Sequence, residues 1–427
     1  MINPEMSFTN GPEAEDHSDG AAKELHFATS KEPSRRTFLS AGGAAIAGCA
    51  LMGCHAKKDP GNNLLKAIKI IDMHVHHQKQ RKGIDELFAN EDACGIDMIN
   101  ILGMPVASEK RMALFMQNPS MALAKLLRPG KIYAFPIVYD YCPGISIDKI
   151  DYAGQVKSWM EMGFDGVKMV QGKPSVYKEI GGIGLDSPLL DTYYSLIEEK
   201  NLALVSHVGD TPELWDKSKA HPNAAKFGWN YWDGTYPTME KLRSEVNNIL
   251  SKFPNLRLIL AHFYYMGDDL GRLASFFDQF PQVSVDLTPG DHFPLLFEQD
   301  TQKVRDFFVK YQDRIMLGSD NTGGIREIQW ERDFCTGKIT GMRQFLEYDG
   351  EFEWKGRHHG IALDRLVLEK IYSKNFESYV ASAPRPVNIP AVLENCTWIS
   401  SIYQKHPSGQ GLLKDLKAVV EQIEQLS

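Results

Sequence analysis

The stretch Ile70-Ile71-Asp72-Met73-His74-Val75-His76 decides how this chain is read, because it ends an apolar, β-branched run with two imidazoles two residues apart. Side chains on a strand repeat their direction every second residue, so His74 and His76 point to one side and can offer two nitrogens to a single divalent metal. An isolated His-x-His pair is equally well read as two polar residues leaving a strand. The sequence around it shifts that balance.

From about Ala67 onward, eight short β-rich runs alternate with longer amphipathic stretches. The runs are Ala67 to Val75, Gly95 to Leu102, Ile132 to Val138, Gly166 to Val170, Leu202 to Ser206, Leu256 to Ala261, Val283 to Leu287 and Ile315 to Gly318. Between them, Tyr152 to Met162, Leu189 to Lys200, Met239 to Phe253 and Gln302 to Tyr311 carry apolar residues three and four apart, the helical spacing. Parallel strands need crossover connections and helices make them, so the order predicts a (β/α)8 TIM barrel over residues 67–385. The active site of such a barrel lies at the C-terminal ends of its strands. His74, His76, Lys168, His207, His262 and Asp320 all fall there. A lone histidine is most often a hydrogen-bonded core or rim residue, but four at strand ends beside an aspartate point to metal chemistry.

Composition is that of a globular enzyme: 427 residues, 43% hydrophobic and 24% charged. A net charge of −8 and the lack of a basic cluster in the body of the chain argue against nucleic acid as a partner. Residues 1–33 are polar and acidic with few large apolar groups, which predicts disorder. Residues 34–54 place Arg35-Arg36 before a short apolar run that ends at Cys54. That order resembles a twin-arginine export signal, and Leu51-Met52-Gly53-Cys54 resembles the lipobox of bacterial lipoproteins, with Ile46-Ala47-Gly48-Cys49 as a second match. The resemblance implies an exported, periplasmic protein lipidated at Cys54 and touching the membrane only through that anchor. Its long acidic leader departs from the usual short basic one, and a cytoplasmic extension is the competing reading. The other cysteines, Cys94, Cys142, Cys335 and Cys396, form no Cys-x-x-Cys pair and read as scattered buried thiols.

The motifs Asp72-Met73-His74-Val75-His76, Gly163 to Lys168, Val205 to Gly209, Leu258 to His262, Asp313 to Asp320 and Lys370 to Asn375 together resemble the amidohydrolase superfamily. The likeness is closest to its amidohydrolase-related branch of metal-dependent hydrolases and of aminocarboxymuconate-semialdehyde and resorcylate decarboxylases, and it spans Ile68 to Val380. It implies that His74, His76, His207 and Asp320 hold the metal and that His262 acts on the substrate beside it. Asp72, Gly163, Gly166 and Asn375 would be structural. Such a ligand set suits Zn2+, one per chain, which can lower the pKa of a bound water to about 7. On this reading Asp320 accepts the water's proton and His262 stabilises the oxyanion. Lys168 is either a carboxylated bridge between two metals, a cation for a substrate carboxylate, or a stem buried against the wall.

The implied activity is hydrolysis of a small amide, ester or lactone. A non-oxidative decarboxylase of an aromatic or unsaturated acid is the alternative, and an inactive ligand-binding barrel a third reading. Trp215, Trp229, Tyr231 and Trp232 crowd the connection after the fifth run and either stack on substrate or pack that loop. His77, His221, His292, His358 and His359 are read as lying outside the ligand set. Residues 386–427 predict an extension whose final helix, Leu412 to Leu426, packs on the barrel exterior, with a homo-oligomer contact as the alternative.

Overall fold

The computed structural model describes residues 68–77, 80–105, 108–220, 224–289, 293–323, 328–354 and 356–426. The predicted disordered leader, the export signal with Cys49 and Cys54, and His221 and His292 lie outside the described residues.

Each of the eight apolar runs overlaps a strand: β1 Ile71–His77, β2 Met98–Leu102, β3 Ile132–Phe135, β4 Gly166–Gly172, β5 Ala203–Val208, β6 Arg257–Leu260, β7 Val283–Asp286 and β8 Ile315–Met316. A ninth, β9 (Asn321–Gly323), continues the path of the short eighth. All pair in parallel, in the orders β3-β2-β1-β9 and β4-β5-β6-β7-β8. Backbone hydrogen bonds join the two sheets along both edges. On one side the amides of Asp165, Lys168 and Val138 donate to Ala134, Pro136 and Lys168 carbonyls at 2.8–3.1 Å. On the other, Met73 N donates to Leu317 O at 3.1 Å and Asp320 N to His74 O at 2.7 Å. The strands therefore complete the ring that the alternation of runs predicts.

Helices cover the outside at the predicted places, among them Tyr152–Met162, Asp191–Glu199, Met239–Lys252 and Thr301–Lys310. Inside, Ile71, Met73, Met98, Leu102, Val205, Ile259 and Met316 form a separate apolar cluster, closed underneath by Phe376 and Tyr379. Val75 belongs instead to the outer layer between strands and helices. Met73 and Val75 thus face opposite ways although they are two residues apart, and the cause is a register irregularity between Asp72 and Val75. This bulge lets Met73 fill the barrel while His74 and His76 also turn inward at its upper end.

Beyond the barrel, helices Ile389–Lys405 and Gln410–Gln425 pack on its exterior, burying Val392, Cys396, Ile399, Tyr403, Leu416, Val419 and Ile423. Tyr403 anchors them by donating to Met112 O at 2.8 Å. The segment joining them to the barrel is held by Asp165, which accepts from Arg385 N at 2.7 Å and forms a buried ion pair with Lys125. Asn375 donates to the carbonyls of Gln312 and Ile315, both at 2.7 Å, so it ties down the start of β8. No helix among the described residues is long and apolar enough to cross a membrane.

Gly163 ends the Tyr152–Met162 helix at φ 86°, where an added Cβ would collide with the Pro386 carbonyl. Gly163→Ala should cost about 1–3 kcal/mol in urea unfolding, from left-handed strain plus the clash. An unchanged midpoint would mean that the segment around Pro386 yields freely.

Candidate metal centre

The strand ends bring His74, His76 and Asp320 together, with their nearest ligand atoms within 4.8 Å of one another. His74 Nε2 lies 3.2 Å from His76 Nε2 and 3.7 Å from Asp320 Oδ1, and His76 Nε2 lies 3.2 Å from that same oxygen. The hydrogens follow from the partners on the far sides of the rings. His74 Nδ1 donates to Asp286 Oδ2 at 2.7 Å, and His76 Nδ1 donates to Leu102 O at 2.8 Å. Both Nε2 atoms therefore carry lone pairs, which face each other and a carboxylate. Burial holds the His74 pKa down to about 3, so His74 does not itself take up a proton to relieve that repulsion near neutral pH. A divalent cation would relieve it, and this donor set fits one.

Two further histidines stand beside this group. His262 Nδ1 donates to Thr288 Oγ1 at 2.9 Å, whose own hydroxyl donates to Asp286 Oδ1 at 2.6 Å. His207 Nε2 donates to Gly209 O at 3.1 Å. These bonds leave His207 Nδ1 and His262 Nε2 bare, 3.2 Å apart. The expected fourth ligand, His207, is thus placed against His262 rather than in the three-residue group. The His262 ring lies between, its centroid 5.5 Å from that of His74 and 4.8 Å from that of His207. Burial also lowers the pKa of both.

Two local backbone features aim these side chains. His262, Phe263, Tyr264 and Tyr265 all have φ between 49° and 58°, a left-handed turn directly after β6. Asp320 has φ 55°. Such conformations cost non-glycine residues of order 1 kcal/mol or more each and collect at functional sites. Burial opposes the Asp320 charge, and the two bare Nε2 atoms that the carboxylate faces offer it no hydrogen, so it lacks a donor where a cation would sit. Its side chain stays 28% accessible, so a small molecule can reach it.

Lys168 points inward from β4 and is buried; desolvation brings its pKa down to about 8 despite the nearby Asp286 and Asp320. A second cation, Lys173, pairs with Asp210 at 3.1 Å, and Asp210 also accepts from Tyr231 OH at 3.0 Å. The crowded aromatics after β5 pack on one another as a small core around Tyr231, with Trp215 4.9 Å and Tyr236 4.7 Å from it between centroids. His358 packs on Phe297 and donates to Trp354 O, within a hairpin formed by Glu351–Glu353 and Arg357–His359. His77 is half-buried with its Nδ1 enclosed and unpartnered, and desolvation lowers its pKa to about 4. Of the thiols, Cys335 and Cys396 are buried, while Cys94 and Cys142 are only partly so.

Asp286 and Thr288 were not singled out from the sequence. The same rule that selected the histidines, position at the C-terminal end of a strand, would have found them after the seventh run. Asp286→Asn should leave the barrel folded and weaken binding of Co2+ or Zn2+ about 10–100-fold by calorimetric titration, since the His74 tautomer would lose its anchor. Undiminished affinity would remove Asp286 from the site. Keeping Lys168 charged in the fold costs about 3 kcal/mol at pH 7. The sign follows from protonation: between pH 8 and 10.5 the unfolded chain holds this proton and the folded protein does not, so stability rises through that window. Lys168→Met should therefore stabilise the metal-free protein at pH 7, with a gain that fades by pH 10.5. Equal urea midpoints at pH 7 would show that nearby carboxylates offset the burial cost.

A family model for amidohydrolases matches residues 140–375, more than half of the chain. No curated protein matches. Among solved structures, the chain is similar to a probable 2-pyrone-4,6-dicarboxylic acid hydrolase from Acinetobacter baumannii, at 11% identity and TM-score 0.43 over 73% of this chain and 99% of that one. It is also similar to Metarhizium anisopliae IDCase in apo form, at 14% identity and TM-score 0.45 over 73% and 96%. A third is 4-oxalomesaconate hydratase from Rhodopseudomonas palustris, at 11% identity and TM-score 0.43 over 79% and 100%. The match over the barrel, from before β4 to Asn375, identifies this chain as a member of the amidohydrolase family.

Proposed function

We propose that this chain is a metal-dependent hydrolase of small amides, esters or lactones, with His74, His76 and Asp320 holding a divalent ion, most simply Zn2+. The observation that carries the reading is the pair of bare Nε2 atoms 3.2 Å apart beside the Asp320 carboxylate. His207 joins as a fourth ligand if its ring turns from His262. Bound there, the ion would supply a Lewis acid and an acidified water.

The chain's own groups supply the rest. Asp320, ionised and partly accessible, accepts the proton of the attacking water and delivers it to the leaving group. His262 presents a bare Nε2 to the site with its Nδ1–H fixed on Thr288, so it accepts a hydrogen bond there and can orient the attacking water toward the substrate carbonyl. Asp286 keeps both histidines in the required tautomers.

One feature favours a second reading. The cations Lys168 and Lys173 lie near the same histidines and would suit a carboxylate substrate, as a decarboxylase requires. Turnover in 18O-labelled water separates the two, because hydrolysis places the label in the product and decarboxylation releases CO2 without consuming water.

Elemental analysis of the chain from residue 55 onward should find about one metal per chain, lost in His74→Ala. Asp320→Asn should retain the fold and lower kcat by at least about 100-fold, the usual scale of a lost proton-transfer group. Two metals per chain would assign Lys168 as a carboxylated bridge, and a folded protein that binds none would overturn the reading.

A further inference from the structure

Asp320 belongs to the proposed metal group yet occupies left-handed backbone, so something must hold it there. Three bonds fix its neighbours: Asp320 N donates to His74 O at 2.7 Å, Ser319 N to Asp72 Oδ1 at 2.9 Å, and Asn321 N to Ser319 Oγ at 3.0 Å. The fourth support comes from far along the chain. Lys338, on the helix Ile328–Glu347, is buried and donates its ammonium to Ser319 O at 3.0 Å and Asp320 O at 2.9 Å. Two consecutive carbonyls are thereby drawn onto one cation, a constraint that a flat, extended strand would not satisfy.

The counter-charges are also buried. Asp72 and Glu91 face the same cluster, and Glu91 Oε1 accepts from Asn321 Nδ2 at 3.2 Å. Burial raises both carboxyls, and the Lys338 charge works to lower them. The Lys338 ammonium spends its hydrogen bonds on the Ser319 and Asp320 carbonyls, so whatever stability it contributes is exerted on the Asp320 backbone.

We propose that Lys338 is the positioning residue for Asp320, setting its left-handed backbone by gripping the Ser319 and Asp320 carbonyls so that the carboxylate meets His74 and His76. The inference rests on reading those three residues as a metal group. It assigns to the long helix after β9 a role in metal affinity, although none of its side chains belongs to the three-ligand group.

The test compares wild type, Lys338→Met, Lys338→Arg and Asp320→Ala from residue 55 onward, by urea unfolding of the metal-free proteins and by Co2+ titration followed through visible absorption. K338M, which leaves two carbonyls and the buried Asp72 and Glu91 carboxyls without the ammonium, should unfold at a lower urea concentration than wild type and, while folded, bind Co2+ about 10–100-fold more weakly with an altered absorption band. K338R, which keeps a donor, should recover part of that affinity. If wild type binds Co2+, Asp320→Ala does not, and K338M matches wild type in affinity and spectrum, the positioning role is overturned while the metal reading stands. If wild type binds no Co2+, both fall. Should K338M fail to fold, Lys338→Gln replaces it with the same two outcomes, since its amide reaches the carbonyls less well than the ammonium.

Discussion

The buried carboxylate of Asp286 is the interaction on which the site depends. One oxygen accepts the Nδ1–H of His74, and the other accepts from the His262 amide, the Thr288 amide and the Thr288 hydroxyl. Burial alone would push its pKa up, but these partners hold it well below the usual carboxylate range. A permanent negative charge on β7 thus fixes the tautomer of a residue on β1 and, through Thr288, of one just past β6. Without it each imidazole could place its proton on either nitrogen, and the lone pairs at the barrel mouth would no longer converge.

Around that carboxylate the mouth gathers groups that a core would normally exclude: Asp72, Glu91, Lys168, Lys338 and four imidazoles, all largely buried. Charges so close in low dielectric are tolerated because they are of mixed sign and hydrogen-bonded to backbone. The left-handed residues 262–265 and 320 add conformational strain in the same place. The lower barrel compensates with Ile71, Met73, Val205, Ile259 and Met316, a dry cluster under the polar one. Stability and chemistry are therefore separated along the barrel axis, with β1 carrying both on either side of its bulge.

Much of this was legible residue by residue. Apolar runs of four to nine residues located the first eight strands but not β9, since burial on both faces of a parallel sheet selects aliphatic residues, and Asn321-Thr322-Gly323 carries none of that signal. The amphipathic stretches located their helices to within two residues at most ends. The aromatics near Tyr231 were left between packing and substrate stacking, and they pack on one another. Period-two spacing correctly put His74 and His76 on one side, but it does not extend back to Met73, because the bulge at Asp72 to Val75 is set by pairing with β2, which no local pattern records. Likewise β8 ends after Met316, and Asp320 turns left-handed where Lys338 and Asp72 hold the Ser319–Asp320 backbone from other elements.

By itself the sequence determined the alternation of strands and helices, the family, and the six polar residues at strand ends, because each depends on local composition and spacing. The export and lipidation reading of residues 34–54 is an expectation from sequence only, on residues outside the described ones. Only the tertiary structure decided which nitrogens are bare, that His207 leans on His262, and that Asp286, Thr288 and Lys338 support the site. Those outcomes depend on hydrogen bonds between residues as much as 247 positions apart, as from Ser319 to Asp72, and distance in sequence carries no information about such pairings.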